Sequence, residues 1–264
     1  MKGNCDNGCV VICILLLSYG CSSHSSDLPG GGGRLNPSEG FADPQVVALA
    51  KAAQLGDIAE IDRLVAAGVD VNTLGREGIT PLLWAFISQN KDGFKRLLEH
   101  KANPNVETQN GDSVIRSVAE FASNSEWLAL VLKHGGNPNY VPTRNRFVGS
   151  RTPIFDAINK HHTKGVELLL EAGAKIDQMN RDGTTPLEYS FHFRHYDIVY
   201  QLLTKGADYR VKDFRGKDIA SMILEPDSFI EDADSQAWRN RVIKFLKEHL
   251  ALQDGKDSMD TNRL

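Results

Sequence analysis

One recurrence constrains this chain more than any other feature of its sequence. Gly78 and Gly111 lie 33 residues apart, and so do Gly183 and Gly216. Each glycine follows a short stretch typical of a turn and precedes an apolar segment. A period of this length indicates a supersecondary unit that is repeated along the chain, because a unit so small cannot bury its own apolar face.

The clearest copy of this unit spans residues 180–208. Thr185 can cap a first helix with its hydroxyl, and Pro186 then occupies the first helical position, where no amide hydrogen is needed. A second apolar helix follows after a short break. Gly206 can end it in the left-handed conformation without a Cβ penalty. The copy therefore predicts a turn, two helices and a closing turn.

The same openings and closings recur elsewhere in register. The first helices open with Thr80-Pro81-Leu82, Ser113-Val114-Ile115, Thr152-Pro153-Ile154 and Thr185-Pro186-Leu187. In these motifs the chain resembles the ankyrin-repeat family, whose repeats are about 33 residues long and open with Thr-Pro-Leu-His. The resemblance covers roughly residues 43–224. It implies an all-α fold, an ankyrin-repeat solenoid of five to six helix-turn-helix repeats with finger-like turns.

The chain departs from the family pattern at identifiable positions. Val114 replaces the opening proline of the third repeat, and Lys101 stands where a helix-ending glycine is expected. Each change weakens a cap by about 1 kcal/mol. In the family, the opening histidine forms a hydrogen bond to the turn. The resemblance implies that this bond is missing here, because the histidine positions hold Leu83, Arg116, Phe155 and Glu188.

The pattern divides the chain into an N-terminal leader, a repeat domain and a polar tail at 253–264. The repeat domain covers residues 43–252. Its repeats are expected at about 43–75, 76–108, 109–143, 144–180 and 181–212, with a degenerate capping unit at 213–252. The last helix of this cap has one apolar and one polar face, as an end repeat needs in order to stop further stacking.

Residues 1–21 have the pattern of a secretory signal, with Lys2 before the apolar run 10–17. Gly20-Cys21 resembles the lipobox of bacterial lipoproteins, in which Cys21 would become the lipidated first residue, and Ser22 resembles the outer-membrane sorting position. An ordinary signal peptide with a fortuitous cysteine is the alternative. Residues 22–42 are rich in serine and glycine and are predicted to form a flexible tether.

Cysteine usage agrees with export from the cytoplasm. Cys5, Cys9 and Cys13 all lie inside the predicted leader, and no cysteine follows Cys21. A domain without cysteine has no disulfide to shuffle and no thiol to oxidise in an oxidising compartment.

Motifs for catalysis or metal binding are weak. His192 and His195 lie three residues apart and His161 and His162 are adjacent, so we considered a metal site. By resemblance, His162 and His195 hold the position of the histidine in the family's helix–helix turn, which favours a role in stabilising that turn. The sequence contains no zinc-protease or nucleophile-elbow motif. We therefore expect no enzyme, no metal and no cofactor.

The predicted architecture instead offers a concave binding surface built from fingers and first helices. The formal net charge of the whole chain, −4, argues against nucleic acid as the main partner. Arginine and aromatic side chains are common at binding hot spots. The residues expected on this surface are Arg76, Glu77, Ile87, Ser88, Gln109, Asn110, Phe121, Arg144, Arg146, Phe147, Lys160, Arg181, Asp182, His192, Phe193, Phe214 and Arg215.

Two functions remain open. The first is a lipoprotein of the bacterial cell envelope that faces the periplasm, is monomeric when unbound, and binds and neutralises or assists a secreted enzyme. The family resemblance implies partners of the kind that accompany exported toxins, phospholipases among them. The second is an envelope scaffold that binds a resident protein or an anionic glycan. A soluble periplasmic form is the alternative location.

Overall fold

The computed structural model describes residues 36–122, 124–143, 151–213, 215–225 and 232–261, and for 251–261 it describes the backbone only. Over these ranges the chain is helical. No strand occurs in them, and an isolated bridge joins Lys212 and Asp218. The predicted signal segment, the lipidation site Cys21 and most of the predicted tether lie outside the described residues.

Thirteen α-helices and one short 3-10 helix, Arg76–Gly78, form within the described ranges. After the first, short helix they come in pairs, with an inner helix followed by an outer one. The α-helices are α1 (Pro37–Gly40), α2 (Pro44–Leu55), α3 (Ile58–Ala66), α4 (Pro81–Ile87), α5 (Lys91–Glu99), α6 (Val114–Phe121), α7 (Ser125–Lys133), α8 (Pro153–Asn159), α9 (Thr163–Glu171), α10 (Pro186–His192), α11 (Tyr196–Thr204), α12 (Ile219–Leu224) and α13 (Ala233–Thr261).

Helix starts follow the chemistry that the sequence predicts. The Thr185 hydroxyl accepts a hydrogen bond from the Glu188 amide at 3.2 Å, and the Thr80 hydroxyl caps α4 in the same way. Helix α6 begins without this help. The hydroxyl of Ser113 makes no capping bond and is buried without a partner. Helix α6 therefore lacks both the opening proline and a side-chain cap.

Helix ends also follow the chemistry that the sequence predicts. Gly206 has φ 93° and ends α11, as predicted. Lys101 takes the same left-handed conformation, with φ 66°, at the end of α5. A side chain with a Cβ is strained in this region. The backbone geometry of the repeat is thus kept where the sequence departs from glycine.

The chain divides into two compact units, residues 1–153 and 154–264. In the first unit the inner helices α2, α4 and α6 stack in order, as do the outer helices α3, α5 and α7. An aromatic cluster anchors this core: the ring centroid of Trp127 lies 4.9 Å from that of Phe94 and 5.4 Å from that of Phe86. Burying each such ring contributes roughly 1.5–3 kcal/mol.

The second unit has the same arrangement. Its inner helix α10 contacts α12, and its outer helix α11 contacts α9 and α13. Tyr196, in the core of this unit, is 1% exposed. Tyr200 packs against Trp238 of α13 at 5.8 Å and against Phe245 at 6.1 Å. Helix α13 therefore covers the outer helix of the preceding pair, as the expected cap should.

Helical structure extends beyond residues 43–252, the predicted repeat domain, at both ends. The last residues of the predicted tether fold: Asn36 caps α1, and Phe41 is 3% exposed with its ring edge on Trp84. The polar composition of residues 22–42 gave no indication that Phe41 is buried. At the other end α13 continues to Thr261, beyond the predicted domain end at residue 252. The segment has no proline to stop it.

A ladder of asparagine and aspartate side chains joins the closing turns of successive repeats. The Asn72 carboxamide oxygen accepts from the Asn103 amide at 2.7 Å, and Asn105 accepts from the Asn137 amide at 2.7 Å. Asp177 accepts from the Asp208 amide at 3.0 Å in the second unit. Each rung crosses from one repeat to the next, so it fixes the register between them.

We expect Asn105→Ala to lower the free energy of unfolding by about 1–2 kcal/mol, because it removes two hydrogen bonds between repeats. Asn105 also donates to the Gly135 carbonyl at 2.8 Å. Asn105→Asp keeps the acceptor and loses the donor, so its effect should be intermediate. Urea unfolding measures both, with Lys133→Ala on the exposed face of α7 as the control. Equal stability of all four proteins would contradict a stabilising ladder.

Candidate functional site

Four turns that project between the helix pairs, here called the fingers, share one backbone geometry. In each finger a first residue and the residue four positions later are joined by a backbone hydrogen bond, and the glycine between them is left-handed. For example, the Asn180 amide donates to the Thr184 carbonyl at 3.0 Å, and Gly183 has φ 77°. The fingers are residues 75–79, 108–112, 180–184 and 213–217.

The predicted finger residues occupy the two central positions of these turns. Arg76 and Glu77 are exposed, as are Arg181 and Asp182. In the other two fingers Gln109 and Arg215 are exposed and Asn110 is half-buried. These seven residues are called the finger tips below. Six of the seven therefore present their side chains to solvent.

Polar side chains at the finger bases hold the turns. The Asn180 carboxamide oxygen accepts from the amides of Asp182 and Thr184 at 2.9 and 3.0 Å. The Asp213 carboxylate accepts in the same way from the amides of Arg215 and Lys217 at 2.8 and 3.0 Å. Because these bonds run from the base to the backbone of the tip, they form whatever side chain the tip carries.

Two fingers of the first unit touch directly. The Gln109 amide donates to the Glu77 carbonyl at 2.8 Å. This approach needs Gly78, because a Cβ there would lie 2.9 Å from the Thr108 Cα. Adjacent tips are therefore held at a fixed spacing.

The other predicted surface residues lie at the ends of the inner helices, and here the structure corrects one of them. Ile87 is 8% exposed and belongs to the core. It lies on the last turn of α4, but its side chain faces inward. Phe121 and Ser88 are half-buried, Lys160 and His192 are exposed, and Phe193 is 46% exposed. The predicted residues Arg144, Arg146, Phe147 and Phe214 lie outside the described residues.

Two substitutions at the family's opening-histidine position have consequences that the sequence analysis missed. Arg116 is 4% exposed, and its Nη1 donates to the Gly111 carbonyl at 3.4 Å. The hydrogen bond expected to be missing from this repeat is thus made by a longer side chain. Glu188 is 5% exposed. Burial raises the pKa of Glu188, while the positive charges of His192 and Arg215 oppose the rise.

The four histidines considered for metal binding do not share a site. His161 and His195 stack with ring centroids 4.0 Å apart, and the His161 Nε2 lies 2.7 Å from the Asp197 carboxylate. Burial lowers the pKa of His195, and neighbouring His161 lowers it further. Within the described ranges no group of three or more histidine, cysteine or acidic side chains is placed to hold a metal ion.

His161 and Arg194 are surface residues that the sequence analysis did not select. Both are exposed, and both are left-handed, with φ 53° and 58°. They precede His162 and His195, where the family usually has glycine. A non-glycine residue at a position where the family usually has glycine is the signal that could have identified them, and Gln89, with φ 56°, shows the same signal in the first unit.

Paired helices, a 33-residue period and projecting turns together define a repeat protein whose exposed turns are available for binding. Comparison with known families agrees. A family model described as ankyrin repeats (3 copies) matches residues 117–213. The fold of the described residues is an all-helical array of ankyrin repeats, as predicted.

Individual relatives are distant, and this chain matches only part of each. The bovine mitochondrial disaggregase is 31% identical over 167 residues, 62% of this chain and 24% of that protein. Protein PhlB of Serratia liquefaciens is 31% identical over 156 residues, 59% of this chain and 65% of its own length. Phosphocholine transferase AnkX of Legionella pneumophila is 27% identical over 163 residues, 59% of this chain and 16% of its own length. The chain therefore spans about a quarter or less of two of these relatives and just under two thirds of the third.

We expect Gly78→Ala to destabilise the protein by at least roughly 2 kcal/mol, because the new Cβ meets both a left-handed backbone and the neighbouring finger. Gly183→Ala is the matched control. Gly183 is equally left-handed, but the place that its Cβ would take has no contacting atom within 4 Å, so this change should cost about 1 kcal/mol. Urea unfolding measures both. Equal losses would show that the contact between the fingers contributes nothing.

Proposed function

We propose that this protein binds another protein through the finger tips and the exposed ends of the inner helices. The observation that carries the proposal is that two fingers are held from their bases by Asn180 and Asp213, while six of the seven finger tips are exposed to solvent. Arginine at such positions can pair with carboxylates in two-bond geometry, which gives direction as well as attraction. A fixed spacing between tips also reduces the entropy lost on binding.

The partner we favour is a secreted enzyme, such as a phospholipase toxin, that this protein neutralises or assists. Binding would be steric, with the repeat surface covering the mouth of the enzyme's active site while Arg181 and the predicted residues Arg144 and Arg146 pair with acidic groups. The resemblance to ankyrin-repeat proteins that accompany exported toxins supports this choice. In this proposal the chain itself is not an enzyme.

The proposed location is the bacterial cell envelope, with the protein anchored to the outer membrane through a lipid on Cys21 and facing the periplasm. The leader pattern of residues 1–21 supports it, as does the restriction of the cysteines to that segment. Of the helices that the structure describes, none is both long and apolar enough to cross a bilayer. A soluble periplasmic protein is the alternative.

A second function is an envelope scaffold that binds a resident protein or an anionic glycan. The exposed arginines of the tips favour an anionic ligand of either kind. Binding to isolated envelope that is abolished by salt, with no captured protein, would favour this alternative, because exposed charge pairs are strongly screened.

We expect the double variant Arg76→Glu with Arg181→Glu to weaken partner capture at least tenfold, or about 1.4 kcal/mol, at unchanged melting temperature. Affinity purification of the tagged protein from its native cells identifies the partner, and calorimetry measures the affinity. Lys133→Glu with Lys247→Glu is the control, because these exposed residues of α7 and α13 bring the same charge change on helices that the proposed surface does not use. If both double variants lose affinity equally, net charge and not the finger tips determines binding.

We expect Cys21→Ser to release the protein from the membrane fraction, because the thiol of Cys21 is the group that would carry the proposed lipid. Fractionation of cells followed by immunoblotting measures this. Cys13→Ser, inside the predicted leader, is the control and should leave the protein with the membranes. Sedimentation of Cys21→Ser with membranes would argue against the anchor.

A further inference from the structure

The finger at residues 75–79, here called the first finger, is fixed by backbone contacts on both sides. A Cβ atom on Gly75 would lie 2.2 Å from the Gly40 carbonyl oxygen, and one on Gly78 would lie 2.9 Å from the Thr108 Cα. Both glycines therefore allow neighbouring backbone to approach more closely than a side chain would permit. Because backbone packs against both flanks, the position of the tip is set before a partner binds.

The fingers of the second unit are held differently. Their base positions carry Asn180 and Asp213, whose side chains bond to the backbone of the tips. Cβ atoms added to their glycines, Gly183 and Gly216, would have no contacting atom within 4 Å. The first finger has Gly75 at the base position, so direct contact with neighbouring backbone replaces the side chain that holds the other two.

The two tip residues of the first finger, Arg76 and Glu77, carry opposite charges and are exposed. Within the part of the chain that the structure describes, neither side chain has a hydrogen-bond or ion-pair partner. The other arginine tips are already engaged, since the Arg215 Nε donates to the Asp213 carboxylate at 2.9 Å and Arg181 also has a partner in the chain. A binding partner therefore breaks no internal bond when it reaches Arg76 or Glu77.

The backbone of Glu77 is left-handed, with φ 55°. The tip residues at the same position of the other described fingers are not left-handed; they are Asn110, Asp182 and Arg215. The Glu77 carbonyl accepts the bond from the Gln109 amide that links the first finger to the next one. Glycine or asparagine would adopt this conformation with less strain. The backbone therefore does not explain why this position holds a glutamate.

Strain by itself does not mark a binding site, because Gln89 and Lys101 are left-handed as well. Glu77 differs from both in its position, since it lies at a projecting tip that is fixed on both flanks and directly follows an unpaired arginine. A tip with a fixed backbone and unpaired charges loses less entropy on binding than a mobile one. The combination of these features, and not the strain, singles out the first finger.

We propose that the first finger anchors the protein-binding surface and recognises a partner segment in which a basic side chain lies beside a carboxylate. The basic side chain donates to the Glu77 carboxylate, while the partner's carboxylate accepts from the Arg76 guanidinium in two-bond geometry. Charges of both signs select the partner by their order, because a segment with the reverse order would meet like charges twice. This inference rests on the proposed function in that the partner is a protein, and it narrows the surface to one finger of the first unit.

The test selects binders from a phage-displayed library of random peptides on the immobilised full-length protein. We expect the enriched peptides to carry arginine or lysine next to aspartate or glutamate. Fluorescein-labelled synthetic copies of these peptides are then titrated into the full-length protein, and fluorescence anisotropy measures their affinity.

Glu77→Asn is the decisive variant, because asparagine tolerates the left-handed backbone and carries no charge. We expect at least tenfold weaker peptide binding at an unchanged melting temperature. Lys101→Asn is the matched control, since it removes the charge of another exposed, left-handed residue of the first unit that lies outside the fingers. It should bind the peptides normally. The exchange variant, Arg76→Glu with Glu77→Arg, keeps the net charge, reverses the order and should also lose at least tenfold.

The proposal is overturned if no peptide is enriched, if the enriched peptides lack paired charges, or if Lys101→Asn weakens binding as much as Glu77→Asn. Equal binding by the exchange variant would also overturn it, because the order of the charges would then be irrelevant. A captured partner that binds Glu77→Asn normally would refute the first finger as the anchor and leave the proposed function intact. Peptide binding that depends on Glu77, without any captured partner, would do the reverse.

Discussion

The structure depends on one constraint, which is that no repeat can bury its own apolar surface. Each helix pair is stable only against a neighbour in the correct register, and the side-chain ladder of Asn72, Asn105 and Asp177 sets that register. Every rung satisfies a backbone amide of the next repeat. A slip between neighbours would leave these amides unpaired, which is costly. The ladder therefore converts a loose tendency to stack into a defined spacing, and the spacing carries over to the fingers.

The division of each finger into base and tip separates stability from binding. Asn180 and Asp213 hold their fingers from below through backbone amides, so the turn does not require a particular side chain at its centre. A surface of this kind can change its partner by changing tip residues while the stack remains the same. This is why the fold suggests a binding protein but does not identify the partner. The partner is encoded in side chains that the fold does not constrain.

The sequence predicts the repeated features well and the single ones poorly. Thr185, Gly206 and Lys101 behave as predicted, because each acts through its own backbone or the next turn of helix. The prediction that Ile87 lies on the binding surface was wrong, because a position in the last turn of a helix does not tell which way the side chain faces. Phe41 and Arg116 were missed because each depends on one contact distant in sequence or one long side chain. Periodicity reports what every repeat shares, so a contact made once leaves no trace in it.

The turns between inner and outer helices show how the repeat imposes its backbone on whatever residue the sequence supplies. His161 and Arg194 are left-handed, and so is Gln89, with φ 56°, at the same position in the turn between α4 and α5. A glycine at any of these positions would relieve the backbone. The stacking of the helix pairs therefore fixes the conformation of these turns, and the packing that it gains offsets the local strain.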